Sequence, residues 1–599
     1  MVSRSEDLKH VTAWREKTAD LGVIEELEKA DYNRIIARLL AIRGISLAKC
    51  EEFFDSSMKR LMPPNSLPGI TEATASILNA IKARRQIVIF GDYDCDGVCA
   101  TAILTKTLRE IERPLAHAGE SSSLVEPFLP QRLTEGYGMT AASIDRMLRQ
   151  NPKVSLVVTV DNGINSVAQV SYLQQRGIEV IVTDHHLPGQ ELPPCTIVDP
   201  KLVSPKELEG ICGAGVAFFL ANCLIVEAKR RGWFPAERKI AAPLLVMAGL
   251  ATITDIMPLV DQNRIIVANA LQLFNRYAPI GLRELMYRAP SRELPENATV
   301  QQFGFLLGPR INAAGRMDTA DAALDLLLEE DRDIAREAAI IVDKHNGERR
   351  ATEKDMTDLA IKQIVEGASA QVIAIPGGHI GVAGIVASKV MEELKNKKQE
   401  QVPVCIIVGT HGSGRAPAGY NLCEAFNECG QHLSRFGGHA VAGGLSVKEG
   451  HIDEFRAAFC RACEIQRNRN SIIANGTKYV DAVVDLREIT QELADEILTL
   501  EPFGEANPEP VFCARQIMIP NVCKFGNAEN KEKHLKIEFE MESENQKKQK
   551  LVAIWWNHGS EADTLKKNLS LPHDIIFTLR MSGFKNNRYI QHLELEDII

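Results

Sequence analysis

QIVIFGDYDCDGVCATAILTKTL, residues 86–108, is the stretch on which the fold turns. Gln86 to Phe90 is a short apolar run rich in β-branched side chains and reads as a strand. From Val98 the apolar residues recur three and four apart and read as a helix. Gly97 sits between them and permits a tight turn. Working outward, two further runs have the same build: VSLVVTV (154–160) leads into Asp161-Asn162-Gly163, and IEVIVT (178–183) leads into Asp184-His185-His186. A fourth short run, TIV, covers 196–198. Helical segments separate the first three. Alternation of this kind predicts an α/β domain, a parallel sheet with helices on both faces.

The residues at the ends of these runs carry the chemistry. Asp92, Asp94 and Asp96 are spaced by two, so a continuing extended backbone projects all three to one side. Carboxylates held together raise one another's pKa, and the arrangement is unfavourable unless a cation neutralises it. In an open parallel sheet the carboxyl ends of the strands form the ligand crevice, so Asp161 and the Asp184-His185-His186 tripeptide converge on the same edge. Asp255, in GLATITDIMPL, ends a further apolar segment. Singly, an Asp after a strand is a turn or cap residue, and paired histidines are surface groups. Jointly they predict a metal site. Imidazole beside carboxylates suits manganese, iron or zinc better than calcium.

The chain has 599 residues, too many for one core and enough for about three to five domains. A net charge of -10 excludes a uniformly basic coat for nucleic acid but not a local basic groove. The start, MVSRSEDLKHVTAW, is charged without an apolar centre, and the apolar stretch Ala241 to Leu250 is too short to span a bilayer. The thirteen cysteines follow no framework. The expectation is a cytoplasmic protein with free thiols. Cys460-x-x-Cys463 has no second pair, so it reads as two helical thiols rather than a zinc site.

Along the chain, residues 1–81 predict short helices and 82–328 the α/β domain, with a second α/β-like region after Val260. The polar stretch 329–365 predicts a connecting helix. Residues 366–466 predict a smaller α/β domain with strands at QVIAIP (371–376) and VPVCIIVG (402–409). Residues 477–599 predict a small β-barrel with Lys-rich turns.

The strings GDYDCDGVCATAIL, VTVDNGI, VTDHH, IVDP, GAGVAF, ATITDIMPL, GPRINAAGR, SGRAPAGYNL, RFGGHAVAGGLSV and LEPFGEANPEPVF occur in the order found in the DHH phosphoesterase superfamily. From about Lys82 onward the chain most closely resembles the RecJ family of single-strand-specific exonucleases within it. That resemblance implies Asp94, Asp96, Asp161, His185 and Asp255 as metal ligands, with Asp161 bridging two manganese or magnesium ions. Asp92 and His186 become catalytic groups beside the ions or on the phosphate. Ser413, Arg415 and His439 fall on phosphate-binding positions of a DHH-associated domain, with Gly437 and Gly438 allowing close backbone approach. Arg310 and Arg316 are further candidates at the cleft between lobes.

The C-terminal barrel resembles an OB fold, which binds single strands by stacking and a basic groove. Lys524, Lys531, Lys533 and Lys536 are its candidate backbone contacts, and Phe525, Trp555, Trp556, Phe584 and Tyr589 its candidate stacking groups. The resemblance further implies a monomeric exonuclease of DNA repair and recombination. It would work 5′ to 3′ on single-stranded DNA, alongside a single-strand-binding protein and a helicase. Three departures stand out: Asp199 where the family has Asn, Ala416 where it has Ser, and Gly443 where it has Ala. None removes an implied ligand, so they bear on substrate positioning. Other readings stay open: a relative acting on short oligonucleotides, cyclic dinucleotides or pyrophosphate; a catalytically silent replication scaffold; a ribonuclease.

Overall fold

The strand read at the start of the deciding stretch is β1 (Gln86–Phe90). With β2 (Val125–Phe128), β3 (Val154–Val160), β4 (Glu179–Thr183) and β5 (Thr196–Val198) it builds a five-stranded sheet of order β2-β1-β3-β4-β5. Every pair is parallel. β1, β3 and β4 are almost wholly buried, as strands covered on both faces must be. β2 escaped the periodicity reading because Pro127 in VEPF removes a backbone donor; it lies on the sheet edge, where proline is tolerated. Helices α1 (Cys95–Glu112), α2 (Gly213–Arg230) and α3 (Ala241–Thr254) pack against one another beside the sheet.

This computed structural model describes residues 14–116, 123–202, 205–234, 237, 239–288, 294–398, 400–469, 478–526, 532–542, 548–582 and 589–599. They form two compact units: one from Leu61–Met257 and Asn269–Asn475, the other from the described parts of Met1–Arg60, Pro258–Ala268 and Gly476–Ile599.

The α/β-like region expected after Val260 is helical instead. Its elements are Asp261–Tyr277, Ile280–Tyr287, a π-helical turn at Gln302–Leu307, α4 (Gly308–Met317), Asp321–Leu328 and α5 (Arg332–Ile361). Val267, Ala270, Leu271 and Phe274 show why: the buried positions follow the helical period, not alternation. α5 occupies the polar stretch read as a connecting helix, burying one stripe that includes Ala335, Ala339, Val342 and Met356. Beyond it, β6 (Gln371–Ala374), α6 (Ile380–Lys398), β7 (Val404–Val408), β8 (His411–Arg415), β9 (Leu433–Gly438) and β10 (Ala442–Val447) form a mixed sheet of order β9-β10-β8-β7-β6. Only β6 and β7 pair in parallel there. Cys460 and Cys463 lie on the helix Ile452–Arg469 that follows.

The other unit holds a seven-stranded sheet made of β11 (Ala482–Val483), β12 (Phe512–Met518), β13 (Val522–Phe525), β14 (His534–Glu542), β15 (Lys548–Trp555), β16 (Pro572–Ser582) and β17 (Tyr589–Ile598). Its order is β11-β12-β16-β17-β15-β14-β13. The helices Leu21–Lys29, Arg34–Ile42 and Leu47–Phe54 share its core, where Leu27, Ile36 and Leu40 join Phe512, Leu535 and Phe577. The predicted helical region 1–81 is therefore not one body: its described residues up to Arg60 belong here, and those from Leu61 belong to the first unit. Short amphipathic helices have little stability alone and must bury their apolar faces elsewhere. Among the described residues no helix is long and apolar enough to cross a membrane.

Candidate metal centre

Extended geometry stops at Phe90. Asp94 is the N-cap of α1, its Oδ1 accepting the N–H groups of Asp96 and Gly97 at 3.0 Å each. The three aspartates thus do not line one side of a strand, because the helical run that follows recruits Asp94 as its cap. They still gather. Gly97 allows it, since a Cβ there would lie 2.6 Å from the Asp92 carbonyl oxygen.

Asp96 is held from across the fold. Its carboxylate accepts the N–H groups of Gly213 (2.7 Å) and Ala214 (2.8 Å), the first turn of α2, whose dipole favours an anion. Asp161 follows β3 at φ 60°, uncommon for a residue with a side chain. Gly213 packs against it so tightly that a Cβ would lie 2.6 Å from Asp161 Cβ. One helix start therefore positions two carboxylates.

At the end of β4, Asp184 acts as a bracket. Its Oδ1 accepts the N–H groups of His185 (2.8 Å) and His186 (3.3 Å) and meets His186 Nδ1 at 2.7 Å, while Oδ2 accepts from Ile164 N–H at 2.9 Å. His185 turns inward, its Nε2 lying 3.1 Å from Asp161 Oδ1, 3.6 Å from Asp96 Oδ2 and 3.8 Å from Asp255 Oδ2. Asp255 reaches the cluster from the C-terminal cap of a helix, α3, rather than from a strand.

The ligand atoms of Asp92, Asp94 and Asp161 lie within 4.8 Å of one another, as do those of Asp161, His185 and His186 and those of Asp96, His185 and Asp255. All five expected ligands fall in these triads. Asp92 and His186, expected beside the ions, fall in them too. Oδ1 of Asp92 and Oδ1 of Asp161 are buried without a hydrogen-bond partner, a costly state for an acceptor that a cation relieves. Carboxylate oxygens with imidazole nitrogen form a donor set that fits a manganese-type ion.

Electrostatics agree. Burial, then the charges of Asp96, Asp94, Asp92 and Asp184, push the Asp161 carboxyl well above its usual range. Burial and Asp94 raise Asp92, and burial and Asp96 raise Asp94. Asp255 is pushed up to about 8 by burial and then by Asp96 and Asp94. Burial lowers His185 despite its acidic neighbours. Burial is also the largest single influence on His186, but the Asp184 hydrogen bond together with the charges of Asp184, Asp255 and Asp96 overcomes it and carries His186 up to about 9. Without a cation, this many negative charges are not held together at neutral pH.

Two residues at the mouth escaped the sequence reading. Tyr137 places its hydroxyl 3.3 Å from the Asp161 carbonyl oxygen and 3.3 Å from His186 Nε2, and Arg132 lies over the Tyr93 ring at 4.9 Å. Both sit on the loop after β2, so the signal was LPQRLTEGYG, a Gly-containing loop following a strand disguised by its proline. Arg132 faces the acids, and its charge lowers the pKa of both Asp92 and Asp94.

Arg132 also gathers with two expected phosphate ligands. Arg316 is brought down to about 9, first by burial and then by the charge of Arg132; burial and Arg132 likewise lower Arg415. Arg316 Nη1 donates to the Gly381 carbonyl at 3.2 Å, tying α4 to the start of α6. Arg415 Nη1 donates to Ser413 Oγ at 3.3 Å and to the Gly414 carbonyl at 2.8 Å. The strand register sets Ser413, Gly444 and Gly437 side by side across β8, β10 and β9, a surface with almost no side chain to obstruct a ligand. Gly438 and the exposed His439 continue from it. Arg310 is not part of this group, because its guanidinium is engaged by Asp343 at 2.9 Å and by the Leu306 carbonyl.

Comparison with known proteins accords with this geometry. The DHH family, N-terminal domain, matches residues 86–250, and the RecJ OB domain matches residues 480–597. The single-stranded-DNA-specific exonuclease RecJ of Bacillus subtilis is 33% identical over 86% of this chain, which spans 63% of that protein. That of Haemophilus influenzae is 31% identical over 93% of this chain and 95% of its own length. The chain belongs to the RecJ family. The fold agrees: the crystal structure of Thermus thermophilus RecJ in complex with Mn2+ aligns with a TM-score of 0.77 and 27% identity, covering 98% of this chain and 79% of the other.

Within this RecJ-family chain the three departures have distinct surroundings. Asp199 is buried after β5 and pushed up to about 7, by burial first, with one oxygen accepting the Lys201 N–H at 2.8 Å and the other without a partner. Ala416 is buried. Gly443 has no room for alanine, since a Cβ would lie 2.8 Å from the Phe426 ring.

The RecJ OB domain sorts the C-terminal candidates. Trp555 is corrected to a core residue: at 6% exposure it sits opposite Leu535 and packs inside, because strand alternation turns it inward. Its neighbour Trp556 is exposed and forms an aromatic group with Phe525 (5.7 Å) and His534 (4.8 Å). Tyr589 and Lys533 are exposed. Lys524 pairs with Glu532 and Asp563, and Lys536 with Glu538. Lys531 and Phe584 lie outside the described residues.

Proposed function

We propose that this chain is a metal-dependent exonuclease specific for single-stranded DNA, hydrolysing phosphodiester bonds with Mn2+ or Mg2+. The observation that carries this is the gathering of Asp94, Asp96, Asp161, His185 and Asp255 from four separate segments around buried, unpartnered acceptors. These five would hold the metal ions, Asp161 being common to two of the triads. Two bound ions activate a water and stabilise the departing oxyanion. The protein's own part is to hold and orient. Asp184 fixes the His186 ring, so that its imidazole and the Tyr137 hydroxyl stand beside the reacting phosphate. Asp92 lies next to the attack site. Arg316 and Arg415, with Ser413, Gly437, Gly438 and His439, receive the phosphates; guanidinium forks match phosphate oxygens bidentately.

The chain is then read as a DHH domain (82–328), a connecting helix (329–365), a DHH-associated domain (366–466) and an OB domain (477–599) that binds the strand beyond the cleavage site. Degradation runs 5′ to 3′, in DNA repair and recombination, in the cytoplasm and with a single-strand-binding protein and a helicase as partners. The complete acidic set speaks against a silent scaffold, and the OB domain against a dinucleotide hydrolase. Digestion of 5′- and 3′-labelled single and double strands, and of matched RNA, with Mn2+, Mg2+ or EDTA tests this. Cleavage that survives EDTA, or that prefers duplex, overturns it.

A further inference from the structure

The start of α6 carries two glycines three residues apart, Gly381 and Gly384, which therefore share one face of the helix. Helical backbone does not call for glycine, which is less favourable there than alanine, and neither residue has a positive φ. Space is the remaining reason, and it differs between the two. At Gly381 an added Cβ would lie 2.1 Å from the Arg316 carbonyl oxygen, a piece of backbone that cannot step aside. At Gly384 it would lie 2.7 Å from Arg415 Nη2, 2.9 Å from Ser413 Oγ and 3.2 Å from Arg415 Cζ. Those neighbours are the movable ends of two side chains, and both belong to the proposed phosphate group.

The Arg415 guanidinium is thus seated from two directions. Nη1 is tied to β8 by its bonds to Ser413 Oγ and the Gly414 carbonyl, while Nη2 rests over the bare Cα of Gly384. Nε and Nη2 donate to no group among the described residues. One edge of the fork is therefore engaged by the protein, and the other is left for a ligand, the geometry that matches two phosphate oxygens. The same helix start also takes Arg316, whose Nη1 donates to the Gly381 carbonyl. Two phosphate arginines from different elements lean on adjoining turns of α6.

We propose that Gly384 is a positioning residue for the nuclease: by presenting no side chain it lets the Arg415 guanidinium lie in the pose that receives a phosphate of the strand. The inference rests on the phosphate role given to Arg415 above. A methyl group at 384 improves the helix but occupies the place of Nη2, so the guanidinium swings away while the backbone stays. Stability and substrate affinity then move in opposite directions, which a residue needed only for packing does not produce.

The test compares full-length wild type, Gly384→Ala, Arg415→Ala and the double variant on a thymidine oligomer in Mn2+. Gly384→Ala is expected to keep or raise Tm, to keep the Mn2+-induced rise in Tm, and to raise KM roughly tenfold with kcat close to wild type, within the worth of one charge-assisted hydrogen bond. In the Arg415→Ala background the same change should not raise KM further, because no guanidinium remains to be displaced. An unchanged KM in Gly384→Ala, a lowered Tm, or an equal rise in KM in both backgrounds overturns the proposal and leaves the nuclease reading standing. An Arg415→Ala variant with wild-type KM removes the phosphate role beneath it, and a wild type that does not cleave in Mn2+ overturns both readings.

Discussion

Two five-stranded sheets in the same unit divide the work in opposite ways. In the sheet of β1 to β5 every pair is parallel, the strands are buried, and function collects where they end. There the side chains are acidic, enclosed and short of hydrogen-bond donors. In the sheet of β6 to β10 most pairs are antiparallel, and the proposed phosphate surface lies along the strands of its β8-β10-β9 edge. There the surface is nearly bare backbone, with Arg415 and Ser413 standing beside glycines. The difference follows from what each must hold. Small cations need convergent, dehydrated oxygen atoms, whereas a phosphate chain needs donors and close approach of the backbone.

The largest effect should come from the acidic sheet. Asp161→Ala removes a ligand shared by two triads and is expected to abolish cleavage, with the native circular dichroism retained. Residual Mn2+-dependent turnover would break the contrast, since the cation would then not depend on the strand ends. Next is Arg415→Ala, expected to raise KM for a single strand about 10- to 100-fold, the worth of one charge-assisted hydrogen bond of about 1.5–3 kcal/mol. Mn2+ binding, followed by thermal shift, should be unaffected.

A pH series sharpens the electrostatic half. The folded Asp255 titrates at about 8 against an ordinary 3.8, so the metal-free fold is favoured while the group is protonated. That advantage fades as pH rises from about 4 to about 8, and a bound cation reverses it. The Mn2+-induced rise in Tm should therefore grow with pH across this window; a rise independent of pH would show that the acids are not its cause. The smallest effect on the fold belongs to Gly437→Ala. Nothing lies within 4 Å of the added methyl, so stability should change by less than about 0.5 kcal/mol, while KM for a single strand rises. Unchanged KM would mean that the bare strand edge is not a binding surface.

Much of this was legible beforehand, and the failures are instructive. β1, β3 and β4 announced themselves because a buried parallel strand is a continuous apolar run. The acids of GDYDCDG were recognised as a cluster but given the wrong local geometry, since capping by Asp94 competes with strand continuation and periodicity cannot rank the two. Arg132 and Tyr137 were missed because Pro127 masked the edge strand before them. Arg310 and Arg316 looked equivalent in GPRINAAGR; only the position of Asp343 separates them. Trp555 and Trp556 looked interchangeable until the register of β15 turned one into the core.

By itself the sequence determined four strands of the parallel sheet, the metal chemistry and the family, because each is written in short-range spacing and in residue type. Tertiary structure alone decided that Asp255 arrives from a helix end, that the α2 start grips Asp96 and Asp161 together, and that the N-terminal helices share a core with the C-terminal sheet. Those outcomes depend on burial and hydrogen bonding between residues far apart in the chain, and no local period encodes such pairings.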